Sequence, residues 1–197
     1  VIFLIKLLNV MKMKILDLFC GMGGWSKAFA EAGHDCTGVD IVNLGYPYRF
    51  IKADLNDWVP DQHYDVILAS PPCIEFSQAK KWAQGNQDER IGLDLIWKTF
   101  ALIEKIKPKY YVVENVKGLA EFLPKPNDII KYNRHKDGKA AYLWSNIGKL
   151  GFLCSTINMK VNTSKIKKLK STLHKKSERA LIPYPISKAV LTKIEND

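Results

Sequence analysis

A thiol and a carboxyl group, each set just past the end of an apolar run, are the residues of this chain best placed to do chemistry. Cys73 closes Asp65-Val66-Ile67-Leu68-Ala69-Ser70-Pro71-Pro72-Cys73, and Glu114, followed by Asn115-Val116, comes after Tyr110-Tyr111-Val112-Val113. A cysteine attacks as its thiolate and needs an exposed, electropositive setting to do so. Pro71 and Pro72 stiffen the loop that offers it. A buried carboxyl group can hold its proton near neutral pH and share it with a reacting ring nitrogen. Together the two read as a nucleophile and its acid partner. The plain alternatives are a small buried hydrophobe for Cys73 and a salt-bridged strand-end carboxylate for Glu114.

The elements that must position these groups alternate. Lys14–Phe19 reads as a buried strand, Trp25–Ala32 as a helix stopped by Gly33, and Asp35–Val39 as a second strand. Tyr64–Ala69 is a third strand, ended by prolines that cannot continue a ladder. Leu93, Ile96, Trp97, Phe100 and Ile103 share one face of a helix that closes near Pro108, and Tyr110–Val113 is the next strand. Strand and helix in alternation with short turns predict an α/β fold, a doubly wound, mostly parallel sheet. In such sheets ligands bind beyond the carboxyl ends of the strands. Asp17-Leu18-Phe19-Cys20-Gly21-Met22-Gly23-Gly24 supplies a glycine turn there, and the helix after it offers backbone N–H groups to an anionic group. Asp40 closes the second strand, where a carboxylate accepts hydrogen bonds from ribose hydroxyls.

Past Leu123 the pattern loosens. Pro124, Pro126 and a polar stretch through Gly138 read as a mobile loop, with Tyr142–Trp144 and Phe152–Val161 as a pair of strands. Ser164–Lys176 is rich in lysine, and Pro183–Ile194 reads as a closing helix with Ile186, Val190 and Ile194 in one stripe. The chain divides on this reading into an N-terminal extension or over-long start (1–13, with Met11 or Met13 as the functional first residue), a catalytic core (14–123), a loop-rich basic segment (124–178) and a C-terminal helix packing back on the core (179–197). The first ten residues are apolar but too short to span a bilayer, and no small-residue cleavage site follows them.

Charge is distributed unevenly over the 197 residues. Residues 1–124 hold 14 Lys and Arg against 15 Asp and Glu, whereas 125–197 hold 16 against 5, so the formal net charge of +10 sits entirely in the last third. That asymmetry beside a catalytic half fits binding to a polyanion. Four scattered cysteines without a CxxC pair argue against a structural zinc site and for a reducing compartment.

These strings together resemble the cytosine-C5 DNA methyltransferases. Pro71-Pro72-Cys73, with Phe76 and Ser77 after it, is similar to the family's PPCxxFS element, and Glu114-Asn115-Val116 to its ENV element. The resemblance covers residues 14–119 and implies a Rossmann-like, S-adenosylmethionine-dependent methyltransferase fold. It implies Cys73 and Glu114 as catalytic residues, and Phe19, Gly21, Gly23, Asp40, Ile41, Asp54 and Leu95 as contacts of S-adenosylmethionine, Asp54 reaching the adenine amino group. Methyltransferases acting on exocyclic amines carry an aromatic residue after a similar Ser-Pro-Pro string. Here it is Cys73, which favours carbon methylation. The partner implied is duplex DNA with the target cytosine flipped out of the stack. No metal or membrane is expected, and the location implied is the cytoplasm of a prokaryotic, archaeal or phage-infected cell, with restriction-modification as one setting.

Beyond residue 119 the resemblance is fragmentary. The family's arginine-rich strand is missing, which leaves Arg134 and Lys139 as loose candidates for holding the base beside Pro72, Ser77 and Asn115. Of these, Asn115 is expected to orient the loops by hydrogen bonds. Lys139–Asn146 looks like the variant element of short, phage-type members. Only residues 147–177 remain for target recognition, and they offer lysines, which bind phosphates and carry no sequence information. Specificity is therefore expected to be weak, or supplied by a protein partner. Two other readings stand beside this one: a degenerate protein that binds cofactor or DNA without turnover, and a tRNA cytosine-C5 methyltransferase. The latter type often has Cys-Phe-Thr after the ENV element, where this chain has Lys117-Gly118-Leu119.

Overall fold

The computed structural model describes residues 12–76, 89–132, 139–150 and 181–197. Seven strands form one sheet: β1 (Lys14–Leu18), β2 (Asp35–Asp40), β3 (Arg49–Lys52), β4 (Val66–Ala69), β5 (Tyr110–Asn115), β6 (Asp128–Tyr132) and β7 (Lys139–Ser145). Their order is β3-β2-β1-β4-β5-β7-β6. Pairing is parallel from β3 through β5, and β7 runs antiparallel to both β5 and β6. Strand order reverses between β1 and β4, the switch point at which an open α/β sheet leaves a crevice.

Among the described residues three helices cover the sheet: α1 (Ser26–Glu31), α2 (Glu89–Ile106) and α3 (Tyr184–Glu195). Strands covered on both faces read as continuous apolar runs, which is why β1 and β4 lack polar alternation. Their side chains still alternate in space. Ile15, Val66, Leu68, Tyr110 and Val112 enter one core with Trp25 and Phe29 and with Ile186, Val190 and Ile194 of α3. Leu16, Leu18, Ile67, Ala69 and Val113 enter a second core with Ile96, Leu102 and Ile103 of α2. Each fully buried aliphatic side chain contributes ~1.5–3 kcal/mol, so both faces are needed to hold the central strands in register.

Helix α3 starts after Pro183, whose extended backbone makes it the N-cap, and carries Pro185 in its first turn, where a missing N–H loses no helical bond. Its Ile186, Val190 and Ile194 are buried as the stripe predicts. Tyr184 Oη donates to Glu31 Oε2 across 2.7 Å, tying α3 to α1.

Two sequence-based expectations are corrected. Trp97 does not share the buried face of α2 but is 53% exposed, because its direction diverges from that of Ile96, Thr99 and Ile103, which are buried. The stretch from Pro124 to Gly138 is not simply a loop. It contains β6, an edge strand whose polar composition and preceding prolines hide it, with Ile130 buried and Ile129 facing out. The sheet continues through β6 and β7 to Ser145. The strand at Tyr142–Trp144 pairs with β5 and β6, whereas Phe152–Val161, its expected partner, lies outside the described residues, as does the lysine-rich Ser164–Lys176. Strand β3, Arg-Phe-Ile-Lys on the other edge, is too short and too polar at its ends to announce itself.

Candidate active site

Register assembles the site. Val39 pairs with Leu18, Leu18 with Ala69, and Ala69 with Val113, so the parallel ladders joining four strands stop at one level, with β5 running on to Asn115 beside β7. The next residue on each, Asp40, Phe19, Ser70 and Glu114, opens onto the same edge of the sheet. The switch point lies in the middle of this row.

At the β1 end the backbone turns sharply. Phe19 has φ of 58° and Gly21 and Gly23 have φ of 49° and 81°, left-handed conformations that suit glycine and strain Phe19. The Gly21 N–H donates to Asp40 Oδ2 at 3.0 Å and the Val42 N–H to Asp40 Oδ1 at 3.3 Å. These bonds fix the Asp40 carboxylate at the mouth of the turn, and its oxygens keep further lone pairs for another donor. Ile41 beside it is 59% exposed, an apolar surface on the rim of the crevice. Asp54 is exposed, and its Oδ1 accepts the Asn56 N–H at 2.8 Å in a tight turn of its own. Leu95 is half-buried on α2.

The start of α1 differs from the expected anion cradle. Asp17, 1% exposed in β1, accepts the Ser26 hydroxyl at 2.7 Å and also the Ser26 backbone N–H. Ser26 Oγ lies 2.6 Å from the Tyr46 hydroxyl, which completes a buried chain of three. The helix thus has a carboxyl group of its own at its first turn, and a ligand is left with the loop before it. Burial pushes the Asp17 carboxyl up to about 8, so it is largely protonated at neutral pH. An acidic residue inside an otherwise apolar strand was the signal for this group, and the sequence reading missed it.

On the β4 side, Pro71 is buried, Pro72 exposed and Cys73 half-exposed, and a short 3-10 helix (Ile74–Phe76) follows. Cys20 and Cys36 are buried, and burial pushes both thiols up, Cys36 to about 12. Of the described cysteines, Cys73 alone is exposed enough for a nucleophile, and Cys154 lies outside the described residues. Asn115 is 1% exposed and donates its side-chain amide to the Pro71 carbonyl at 3.0 Å, while its Oδ1 accepts the Val116 N–H at 2.9 Å. Its amide thus ties the end of β5 to the loop that carries Cys73, as the sequence leads one to expect of it. Glu114, one position earlier, is half-buried at the end of β5.

A second 3-10 turn (Lys117–Glu121) packs on the Cys73 loop. A Cβ on Gly118 would lie 2.1 Å from the Phe76 carbonyl oxygen, so only glycine admits this approach. Phe76, 3% exposed, also stacks at a tilt on Phe122, with ring centroids 5.8 Å apart. Ser77 and Arg134 lie outside the described residues, and of Lys139 the structure gives only its place at the start of β7.

Residues 48–132 match the model of the C-5 cytosine-specific DNA methylase family. A "Probable DNA (cytosine-5)-methyltransferase" of Frog virus 3 is 30% identical over 68% of this chain and 71% of its own length. Type II methyltransferase M.FnuDI of Fusobacterium nucleatum is 31% identical over 54% of this chain and 33% of its own, and M.DsaV of Dactylococcopsis salina 34% identical over 55% and 32%. The chain thus spans about a third of the bacterial enzymes but most of the viral protein. On the identity and coverage shared with the viral protein, and with the family model matching residues 48–132, the chain belongs to the C-5 cytosine-specific DNA methylase family.

Proposed function

We propose that this protein transfers a methyl group from S-adenosylmethionine to C5 of cytosine in DNA through a covalent bond between Cys73 Sγ and C6 of the base. The observation that carries this reading is the last pair of the β4–β5 ladder, Ala69 with Val113, beyond which the half-exposed Cys73 loop and Glu114 follow on the same edge of the sheet as the glycine turn. The residues around that turn fit the cofactor. The left-handed Gly21 and Gly23 bring backbone close to a ligand, Asp40 is held where ribose hydroxyls can donate to it, and Ile41, Phe19 and Leu95 offer apolar surface to a purine. Asp54 retains acceptor capacity for the adenine amino group beyond the one bond in its turn. When bound, S-adenosylmethionine supplies an electrophilic methyl group on a sulfonium centre.

Cytosine C5 is too weak a nucleophile to take that methyl group unaided. The Cys73 thiolate adds to C6 and forms the S–C6 bond, which moves an electron pair towards C5. Glu114 shares a proton with ring N3 and so accommodates the density displaced into the ring. With S-adenosylmethionine bound, C5 would take up the methyl carbon as its bond to the sulfonium sulfur breaks, the electron pair staying on sulfur and S-adenosylhomocysteine leaving. Loss of the C5 proton returns an electron pair to the ring, and the C6–S bond breaks with Cys73 leaving as thiolate. C6 is covered by neighbouring bases in a duplex, so the cytosine must leave the stack first.

Duplex DNA carrying 5-fluorocytosine tests this directly. Fluorine occupies the position of the proton that has to leave, so the last step stops and Cys73 remains bonded to C6. The expected result is a denaturation-resistant protein–DNA adduct that needs S-adenosylmethionine and disappears with Cys73→Ala. A folded protein that binds S-adenosylmethionine yet forms no adduct on such DNA would overturn the reading. Adduct formation on tRNA in preference to duplex DNA would overturn its substrate.

A further inference from the structure

We infer that Trp25 is a positioning residue for the nucleophile: its indole N–H sets where the loop from Ser70 to Cys73 sits relative to the glycine turn, and α3 holds the indole in place. This deepens the methyl-transfer reading and rests on it.

Trp25 directly follows Gly24 and is 2% exposed. Its Nε1 donates to Ser70 Oγ at 2.9 Å. Ser70 opens the loop that carries Pro71, Pro72 and Cys73, and its own backbone N–H donates to the Leu18 carbonyl at 3.3 Å. The loop is therefore suspended between two anchors. Asn115 holds Pro71 from β5, and Trp25 and Leu18 hold Ser70 from the β1 side.

The ring shares a core with Ile182, Ile186 and Val190, and the backbone that carries it is fixed from behind as well. Ser187 Oγ in α3 donates to the Trp25 carbonyl. A Cβ on Gly24 would come within 2.8 Å of the backbone N and O of Ile182, so the segment leading into α3 lies flush on the turn. A large hydrophobe alone would fill the volume under the sheet as well as Trp25 does. What tryptophan adds is one polar handle, and a buried indole N–H requires an acceptor. Here that acceptor is the first residue of the nucleophile loop. A displacement of ~1 Å at a reacting atom is enough to slow chemistry about a hundredfold, so a single well-placed bond at the base of the loop matters more to rate than to folding.

The test compares wild type with Trp25→Phe, Ser70→Ala, the double variant and Ser70→Thr. Single-turnover methyl transfer, the KM for S-adenosylmethionine and the melting temperature are read for each, together with the alkylation rate of Cys73 by iodoacetamide, resolved by peptide mass spectrometry. Each removal is expected to slow transfer by about tenfold, and the double variant by no more than either single one, because both break the same bond. KM stays within about twofold, the Cys73 alkylation rate changes by at least about threefold, and Ser70→Thr, which keeps the hydroxyl, retains most of the rate. A purely structural role predicts additive losses that track the melting temperature and an unchanged alkylation rate, and that result would overturn the inference. Should Trp25→Phe fail to fold, Ser70→Ala with Ser70→Thr decides the question. A wild type that transfers nothing counts against the proposed function, and the alkylation rates then decide the Trp25–Ser70 link by themselves.

Discussion

The Asn115 side-chain amide donates to the Pro71 carbonyl across 3.0 Å, joining the end of β5 to the loop that carries Cys73. Because Asn115 follows Glu114, one residue pair sets the Cys73 loop against Glu114, the proposed nucleophile and acid partner. Asn115→Asp keeps the shape and the acceptor for the Val116 N–H but removes the donor, and turns a carboxyl oxygen toward a carbonyl. A buried partner left unsatisfied costs ~1–3 kcal/mol. The expected outcome is a drop in methyl transfer of at least tenfold with cofactor affinity little changed, read by single-turnover kinetics and S-adenosylhomocysteine titration. Equal loss of both would point to general unfolding of the edge.

Gly118 is held by sterics. Its absent Cβ would meet the Phe76 carbonyl oxygen at 2.1 Å, so Gly118→Ala must push the two 3-10 turns apart. Overpacking of this kind costs ~1–3 kcal/mol or more, and here the displacement falls on the Cys73 loop. Thermal melting should drop by several degrees and transfer should fall further than stability alone explains. A variant with wild-type melting and wild-type rate would contradict the close packing.

Asp17 makes stability depend on pH with a definite sign. Its carboxyl is raised to about 8 by burial in the folded state, against roughly 3.9 in an unfolded chain. Between those values the folded protein keeps a proton that the unfolded chain releases, so this contribution is full below about pH 4 and is lost as pH rises through about 8. Asp17→Asn removes the titration. Its melting temperature relative to wild type should therefore climb steadily from pH 5 to pH 8. His34, whose depressed value comes from burial, works in the opposite sense at lower pH and cancels in that difference. A constant difference across the range would mean Asp17 stays ionised in the fold.

Affinity for DNA should be electrostatic in origin, because residues 125–197 hold 16 Lys and Arg against 5 Asp and Glu. Engaging four or so phosphates predicts a fall on the order of a hundredfold between about 50 and about 200 mM salt. Fluorescence anisotropy on mixed-sequence duplexes reads this directly, and nearly flat binding over that range would refute it.

The central sheet and the chemical ends were legible because burial on both faces leaves a run of aliphatic residues, and because prolines and glycines stop those runs sharply. Cys73, Glu114 and the turn at Gly21 and Gly23 follow from that punctuation. The edges were not legible. Strands β3 and β6 are short and half polar, and pairing with a neighbour, rather than their own composition, makes them strands. The connections within the site were also hidden. Nothing in the periodicity announces that Trp25 reaches Ser70 or that Asp17 reaches Ser26 and Tyr46, since these bonds join residues brought together only by the sheet. A lone acid in an apolar strand and a tryptophan after a glycine turn were the available hints.

The most direct test of the account is transfer of a labelled methyl group from S-adenosylmethionine to mixed-sequence duplex DNA, wild type against Cys73→Ala. Label is expected as 5-methylcytosine with wild type and not with the variant, both proteins folded and binding cofactor. Transfer that survives the loss of the Cys73 thiol, or label recovered on an exocyclic amine, would contradict it.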